Sequence, residues 1–345
     1  YGSFIARMKK VIDGWKHLPG IHCGSVTLRD VMTYYGHEWS EQMCFGIGGG
    51  LGFYYTVNNK ISPTRMIFVR GPSMEPSFFT NIGLDFGKWE HARGNPLALI
   101  KESVDNDTPV IIQTDIYYLE YYNSGTHFPG HIISVWGYDD EVGKVFVADN
   151  HFEGLMEIGY EKFIEGMASS DSSNPLNNDY LKPIIPVDIK PLTEIIPQAL
   201  KFNAKNMLDG LTGGRGESGV RKIKEWSDDL PDWQDADDWK WCARFGYQVI
   251  KKRGVCGAGF RWMYRDFLRE AEEIMPGLKE LGLSAIMDEI GSRWSDIAML
   301  LKDISDKDSP DSRMLEKASS DAHEIWQMET EFYNLVIDKL GTEPQ

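Results

Sequence analysis

The sequence predicts an α+β domain, an antiparallel sheet with a cysteine-bearing helix near its N-terminus, followed by a mostly α-helical domain. Three observations carry this. A cysteine stands where a glycine loop turns into a helix, at Gly20-Ile21-His22-Cys23-Gly24-Ser25. Two β-rich runs joined by a polar turn lie between Gly130 and Asn150. Beyond about residue 183, helical periodicity replaces the strand signals. The division expected is residues 1–187 and 188–345.

The 345 residues are enough for two domains, each with its own core. The formal net charge of −16 argues against nucleic acid as a partner, and it suits a cationic substrate or plain solubility. No apolar run is long enough for a membrane span, and Tyr1 to Lys10 lack the apolar core of a secretory leader, so a cytoplasmic location is expected. Cys23, Cys44, Cys242 and Cys256 have no paired spacing. They read as reduced cytoplasmic thiols, with no structural zinc and no other metal expected.

In chain order, a short amphipathic piece from Ile5 to Trp15 ends at the Pro19-Gly20 break. Val26, Leu28, Val31, Met32 and Tyr35 then follow helical spacing, and Gly36 suits the stop. Cys23 falls at the positive end of that helix dipole, beside unpaired backbone N–H groups, a setting that favours a thiolate. The run Gly46 to Gly52 holds five glycines, but a G-x-G-x-x-G frame from Gly46 puts Leu51 in its last slot and no Walker Lys follows. It reads as a tight loop where backbone approaches backbone or ligand. Met66–Val69 and Pro109–Asp115 read as strands, with a helix from Asn95 to Val104 between them. The stretch Asp115-Ile116-Tyr117-Tyr118-Leu119-Glu120-Tyr121-Tyr122 either lines a substrate cleft or packs at a sheet edge. A hairpin turning at Gly143 then brings His131 and Asp149 to the same end of the sheet.

Pro183 to Pro191 reads as an extended connector. Helices are expected over Val220–Trp226, Lys240–Lys252, Arg261–Ile274, Leu281–Lys302 and Lys317–Leu340, with a glycine-rich interruption from Arg253 to Phe260.

A thiol nucleophile needs a base, and the base needs a third group to fix its tautomer. Cys23, His131 and Asp149 supply that set, with the cysteine on a helix start, the histidine on a strand start and the acid on the next strand. In order and placement this resembles a papain-like cysteine-enzyme fold. Cys44 is a rival nucleophile or a core thiol, and Asn150 is an alternative to Asp149. His22 and His127 flank the site. Papain has an oxyanion-hole glutamine a few residues before its cysteine; here Lys16-His17-Leu18-Pro19 stands there, so the Cys23 N–H is one donor and the second is unassigned.

The string His22-Cys23-Gly24-Ser25, Ser40-Glu41 leading into Phe45 to Phe53, the Asp115 to Leu119 segment, the Gly130 to Asp149 hairpin and the run from Arg253 to Leu268 together resemble the butirosin biosynthesis protein H family. The resemblance spans nearly the whole chain. It implies an acyltransferase of antibiotic biosynthesis, moving an aminoacyl group from an acyl-carrier-protein thioester to an amine of an aminoglycoside. Cys23 then accepts the acyl group, His131 serves as base and then acid, and Asp149 orients His131. No cofactor is expected beyond the phosphopantetheine carried by the donor.

Glu41 is a candidate binder of a cationic acceptor, or a carboxylate that steadies a loop; His22, Asp115, Tyr117 and Tyr118 are further substrate-binding candidates. Lys251, Lys252 and Arg253 either meet an acidic carrier protein or solvate a helix. The expected partners are a thioester donor and a small amine acceptor, with no nucleic acid or membrane; a homo-oligomer is left open. Two other readings remain, a cysteine peptidase or amidase of the same fold and a non-catalytic small-molecule-binding protein.

Overall fold

The computed structural model describes residues 9–71, 73–86, 88–171, 174–213, 216–253 and 255–341. The chain opens with β1 (Lys9–Val11), α1 (Cys23–Tyr34) and α2 (Glu41–Ile47), then β2 (Leu51–Val57), β3 (Arg65–Arg70) and α3 (Met74–Asn81). It continues with β4 (Glu90–His91), α4 (Pro96–Asp105), β5 (Val110–Asp115), β6 (Pro129–Asp139), β7 (Lys144–Ala148), β8 (Leu155–Gly159), α5 (Tyr160–Met167) and β9 (Asp179–Leu181). The remainder is α6 (Leu192–Asp209), the short β10 (Thr212–Gly213) and β11 (Gly216–Glu217), α7 (Val220–Asp229), α8 (Trp239–Lys251), α9 (Arg261–Ile274), α10 (Pro276–Lys279), α11 (Leu283–Ser305) and α12 (Ser312–Leu340).

Two compact units result, Tyr1–Cys44 with Glu75–Ile189, and Phe45–Met74 with Lys190–Gln345. The break after Ile189 lies close to the 187/188 division drawn from the sequence. That division left residues 45–74 in the first part, whereas they pack in the second unit. The reason is burial: β2 and β3 pair with each other and lie against α6, α7 and α8, and Phe53, Ile67 and Val69 join that unit's core.

The first unit is a mixed α/β body on an antiparallel sheet ordered β4-β9-β5-β6-β7-β8. β6 is its longest strand. β5 pairs with residues 129–135 of β6, and β1 takes up the same strand at residues 137–139. The 5–15 stretch therefore contributes a three-residue strand at Lys9–Val11, while residues 5–8 lie outside the described residues. Gly143 takes φ 63 in the β6–β7 turn, a left-handed conformation that glycine adopts without a Cβ clash. α4 starts where Asn95 Oδ1 accepts the Leu97 N–H at 2.9 Å, an N-cap, with Pro96 at the first helical position.

The second unit is predominantly helical. α11 packs on α8, α9 and α12, and α12 packs on α6 and α7. Its centre is aromatic, with Phe53 5.5 Å from Trp226 and 5.4 Å from Trp294, and those two indoles parallel at 5.7 Å. Arg261 is fully buried, its guanidinium paired with two oxygens of the equally buried Glu329 at 2.8 and 3.1 Å. The glycine run serves close approach: a Cβ on Gly46 would lie 2.1 Å from the Phe267 ring, and one on Gly52 2.6 Å from the Gly71 backbone. α6 begins at Leu192, directly after the Pro183–Pro191 stretch, which forms no helix or strand; its interior Pro197 masks a buried helical stripe of Ile196, Ala199, Leu200, Asn203, Ala204 and Met207. Gly254, in the predicted interruption, lies outside the described residues. No helix among the described residues is long and apolar enough to cross a membrane.

Candidate active site

Cys23 is the first residue of α1 and is half-buried. The turn before it is held by side chains. His22 is the N-cap, its Nδ1 accepting the Ser25 N–H at 3.2 Å. Glu41 Oε1 accepts from the His22 N–H at 2.8 Å and from the Ser25 hydroxyl at 3.0 Å, and the Ile21 N–H lies 3.1 Å from both carboxylate oxygens. Gly20 is required there, because a Cβ would sit 2.4 Å from Glu41 Oε2 and 2.4 Å from the Val26 side chain. These contacts use the N–H groups of Ile21, His22 and Ser25. Among the described residues nothing bonds the N–H groups of Cys23 and Gly24, which stay open at the positive helix end.

His131, the third residue of β6, is buried. Its Nε2 lies 2.8 Å from Asp149 Oδ2, just past the end of β7. The register explains the reach: Ser134 opposes Ala148, so Asp149 lies diagonally across from His131 on the neighbouring strand. Cys23 is the other group that acts on the His131 ring, raising its pKa together with Asp149. With Nε2 on Asp149, Nδ1 is the ring nitrogen left for another partner.

Burial by itself would lower the His131 pKa. The Asp149 charge and hydrogen bond, with the Cys23 contact, overcome it and push the ring up to about 10. Asp149 shows the opposite balance: burial raises its pKa, but the His131 charge and three side-chain hydrogen bonds bring it below the usual carboxylate range. Both shifts favour the charged forms, an imidazolium beside a carboxylate.

Two of those hydrogen bonds come from residues that the sequence did not single out. Tyr121 OH donates to Asp149 Oδ2 at 2.8 Å, and Tyr122 OH donates to Oδ1 at 3.0 Å. The tyrosine-rich stretch was the signal. Asn150, the alternative orienter, does other work: its Nδ2 donates to the Ile21 carbonyl at 3.2 Å, and its own carbonyl accepts the Gly20 N–H at 2.8 Å. His17, near the place of papain's glutamine, has both ring nitrogens committed, Nδ1 to Asp30 and Nε2 to the Phe152 carbonyl at 2.8 Å. Cys44 is fully buried in α2.

The other sequence candidates divide. Glu41 steadies the Cys23 loop and also borders a 920 Å3 cleft lined by Trp15, Lys16, Arg29, Glu38 and Trp39. His22 is a buried cap. Asp115 is fully buried at the end of β5, bonded to His127 and Ser169. Tyr117, 45% exposed, and Tyr118 flank His127, the first stacked at 4.1 Å and the second edge-on at 6.0 Å. Lys251 bonds Ser295 and Arg253 bonds Gln248, so two cations of the basic run are engaged inside their own unit. Among the described residues no group of three or more His, Cys, Asp or Glu is arranged to hold a metal ion.

Two family models match the chain. Butirosin biosynthesis protein H, N-terminal, covers residues 22–150, from the N-cap of α1 to the residue after Asp149. Domain of unknown function (DUF4872) covers residues 165–336. No curated protein matches the chain. Residues 22–150, which contain Cys23, His131 and Asp149, thus match the butirosin biosynthesis protein H N-terminal family, and a DUF4872 match follows them.

Proposed function

We propose that the chain is a cysteine-dependent acyltransferase of papain-like fold. It carries an acyl or aminoacyl group from a carrier-protein thioester, through Cys23, to the amine of an aminoglycoside-like acceptor. The observation that carries this reading is the buried His131–Asp149 pair, Nε2 to Oδ2 at 2.8 Å, whose ring also feels Cys23 at the start of α1. The family's description, which names butirosin biosynthesis, supports the direction of the chemistry.

In the first half-reaction the Cys23 sulfur attacks the thioester carbonyl and its proton rests on His131. The open N–H groups of Cys23 and Gly24 face the oxygen on which charge develops. The donor thiol leaves with the proton from His131. In the second half an amine attacks the acyl group on Cys23, His131 takes the proton that the nitrogen sheds, and the Cys23 sulfur departs. Asp149, pinned by Tyr121 and Tyr122, keeps Nε2 occupied and leaves Nδ1 for the sulfur. No cofactor enters; phosphopantetheine arrives only as part of the donor.

The test is intact mass after incubation with a panel of acyl-thioesters, wild type beside Cys23→Ala. An adduct that needs Cys23 and that added amines remove supports acyl transfer. Removal by water alone, at a rate amines do not change, turns the reading to a cysteine hydrolase. No adduct from any donor favours a binding protein.

A further inference from the structure

A second histidine–aspartate pair stands at the same end of the sheet as His131 and Asp149, with no part in the steps above. Asp115 Oδ1 accepts the backbone N–H groups of Tyr117 at 3.1 Å and Phe128 at 2.8 Å. Oδ2 faces the Ser169 hydroxyl at 2.7 Å and Nδ1 of His127 at 2.6 Å. Burial raises the Asp115 pKa, but these bonds outweigh it and the carboxyl stays ionised below the usual range. An ionised carboxylate only accepts, so Nδ1 of His127 donates in that bond and Nε2 is the nitrogen left to meet a ligand.

That nitrogen is open. The His127 side chain is 38% exposed, and among the described residues its only polar side-chain partner is Asp115. The two backbone bonds and Ser169 already pin the 116–128 loop. What the histidine adds is a basic nitrogen of fixed direction, held by the Tyr117 ring at 4.1 Å and 21° and by the edge of Tyr118. Register fixes its neighbourhood: Thr114 opposes His131, Asp115 opposes Pro129, and four residues of chain from His127 to His131 span at most about 14 Å.

We propose that His127, oriented by Asp115, receives the acceptor as an ammonium ion and takes a proton from it before the nitrogen attacks the acyl group on Cys23. The inference rests on the acyl-transfer reading. The N–H bond breaks toward Nε2, giving an imidazolium and a neutral amine. The amine lone pair forms the C–N bond and the C–S bond to Cys23 breaks. The second proton shed by the nitrogen passes to His131, and His127 returns its own to solvent.

An acceptor that arrives neutral does not need this step, and that separates a proton-accepting His127 from a merely structural one. Full-length wild type, His127→Gln and Asp115→Asn are acylated with a butyryl N-acetylcysteamine thioester. Formation and loss of the Cys23 adduct are then followed by intact mass at pH 7.5. The acceptors are ethylamine, almost wholly protonated there, and 2,2,2-trifluoroethylamine, almost wholly neutral. The expected result for His127→Gln is unchanged adduct formation, loss to ethylamine slowed about 10²-fold, and loss to trifluoroethylamine nearly unchanged. Asp115→Asn should follow the same pattern; if it fails to fold, His127→Gln decides alone. Equal slowing with both amines, or none with either, overturns the proposal while leaving acyl transfer standing. A wild type that forms no adduct overturns the acyl-transfer reading, and this inference with it.

Discussion

Asn150 Nδ2 donates to the Ile21 carbonyl at 3.2 Å, so the residue after Asp149 holds the loop that ends in Cys23. The Gly20 N–H to the Asn150 carbonyl and His17 Nε2 to the Phe152 carbonyl, both 2.8 Å, complete the tie between 17–21 and 150–152. The strand end that orients the base thereby also positions the thiol. Asn150→Ala should cost about 1–2 kcal/mol by denaturant unfolding. It should also slow Cys23 acylation by about tenfold or more, because a small misplacement of reacting groups is felt strongly in rate. Asn150→Asp sets a carboxylate against a carbonyl and should be worse on both counts. Acylation at the wild-type rate in both variants would show that the loop keeps its place without this bond.

Tyr121 and Tyr122 hold the Asp149 carboxylate ionised. Replacing either by Phe removes one donor to a buried charge, worth about 1.5–3 kcal/mol of stability. The sign on pH follows: Asp149 sits below its ordinary value partly because of these hydroxyls, so losing one moves it up. The acid limb of acylation rate against pH should shift to higher pH in Tyr121→Phe and Tyr122→Phe, and further in the double variant. A limb that stays in place would mean that His131 alone sets the carboxyl.

The local features of the site were legible because they are local. A helix start at Cys23, a strand start at His131 and a hairpin closing on Asp149 are periodicity and turn signals over about ten residues each. The tyrosines were visible only as composition, since which hydroxyl reaches Asp149 depends on two 3-10 turns at 116–118 and 120–122 that carry no apolar period. Segment 45–74 was harder still. A short hairpin shows which residues are apolar but not which core receives them, and Phe53, Ile67 and Val69 meet theirs only through α6, α7 and α8, well over a hundred positions later. The glycine run read as a loop of close approach to backbone or ligand without saying to which, for a similar reason: nothing near Gly46 announces that the Phe267 ring will occupy the space of a Cβ.

The His131–Asp149 pair should make stability depend on pH in a defined window. His131 is raised from 6.5 to about 10 in the folded chain, so its contribution is fully present below about pH 6.5 and is lost as pH rises through about 10. Asp149 is depressed from 3.8, so its contribution is present above about pH 4 and is lost as pH falls through its lower folded value. His17, raised by Asp30 against its own burial, acts in the same sense as His131. The difference in Tm between wild type and His131→Gln/Asp149→Asn isolates the pair. It should be largest between about pH 4 and 6.5 and shrink toward pH 10. A difference that grows from pH 6.5 to 10 would contradict the ion pair.

In the second unit the buried Arg261–Glu329 pair sets a sharper test of what holds the helices together. Besides its two bonds to Glu329, the guanidinium donates to the Gly259 carbonyl at 2.8 Å, while Trp294 Nε1 donates to Glu329 Oε1 at 2.6 Å. Both charges are removed from water, so their attraction is set against a large desolvation cost and the net worth of the pair is small. Removing one partner is different, because the other charge stays buried alone. Arg261→Met and Glu329→Leu should each destabilise by about 3–5 kcal/mol, whereas Arg261→Met/Glu329→Leu should lose less than the sum of its single changes. A double-mutant cycle from denaturant unfolding measures this directly. Additive losses would mean that the two residues act through separate contacts, with Gly259 and Trp294 as the partners that matter.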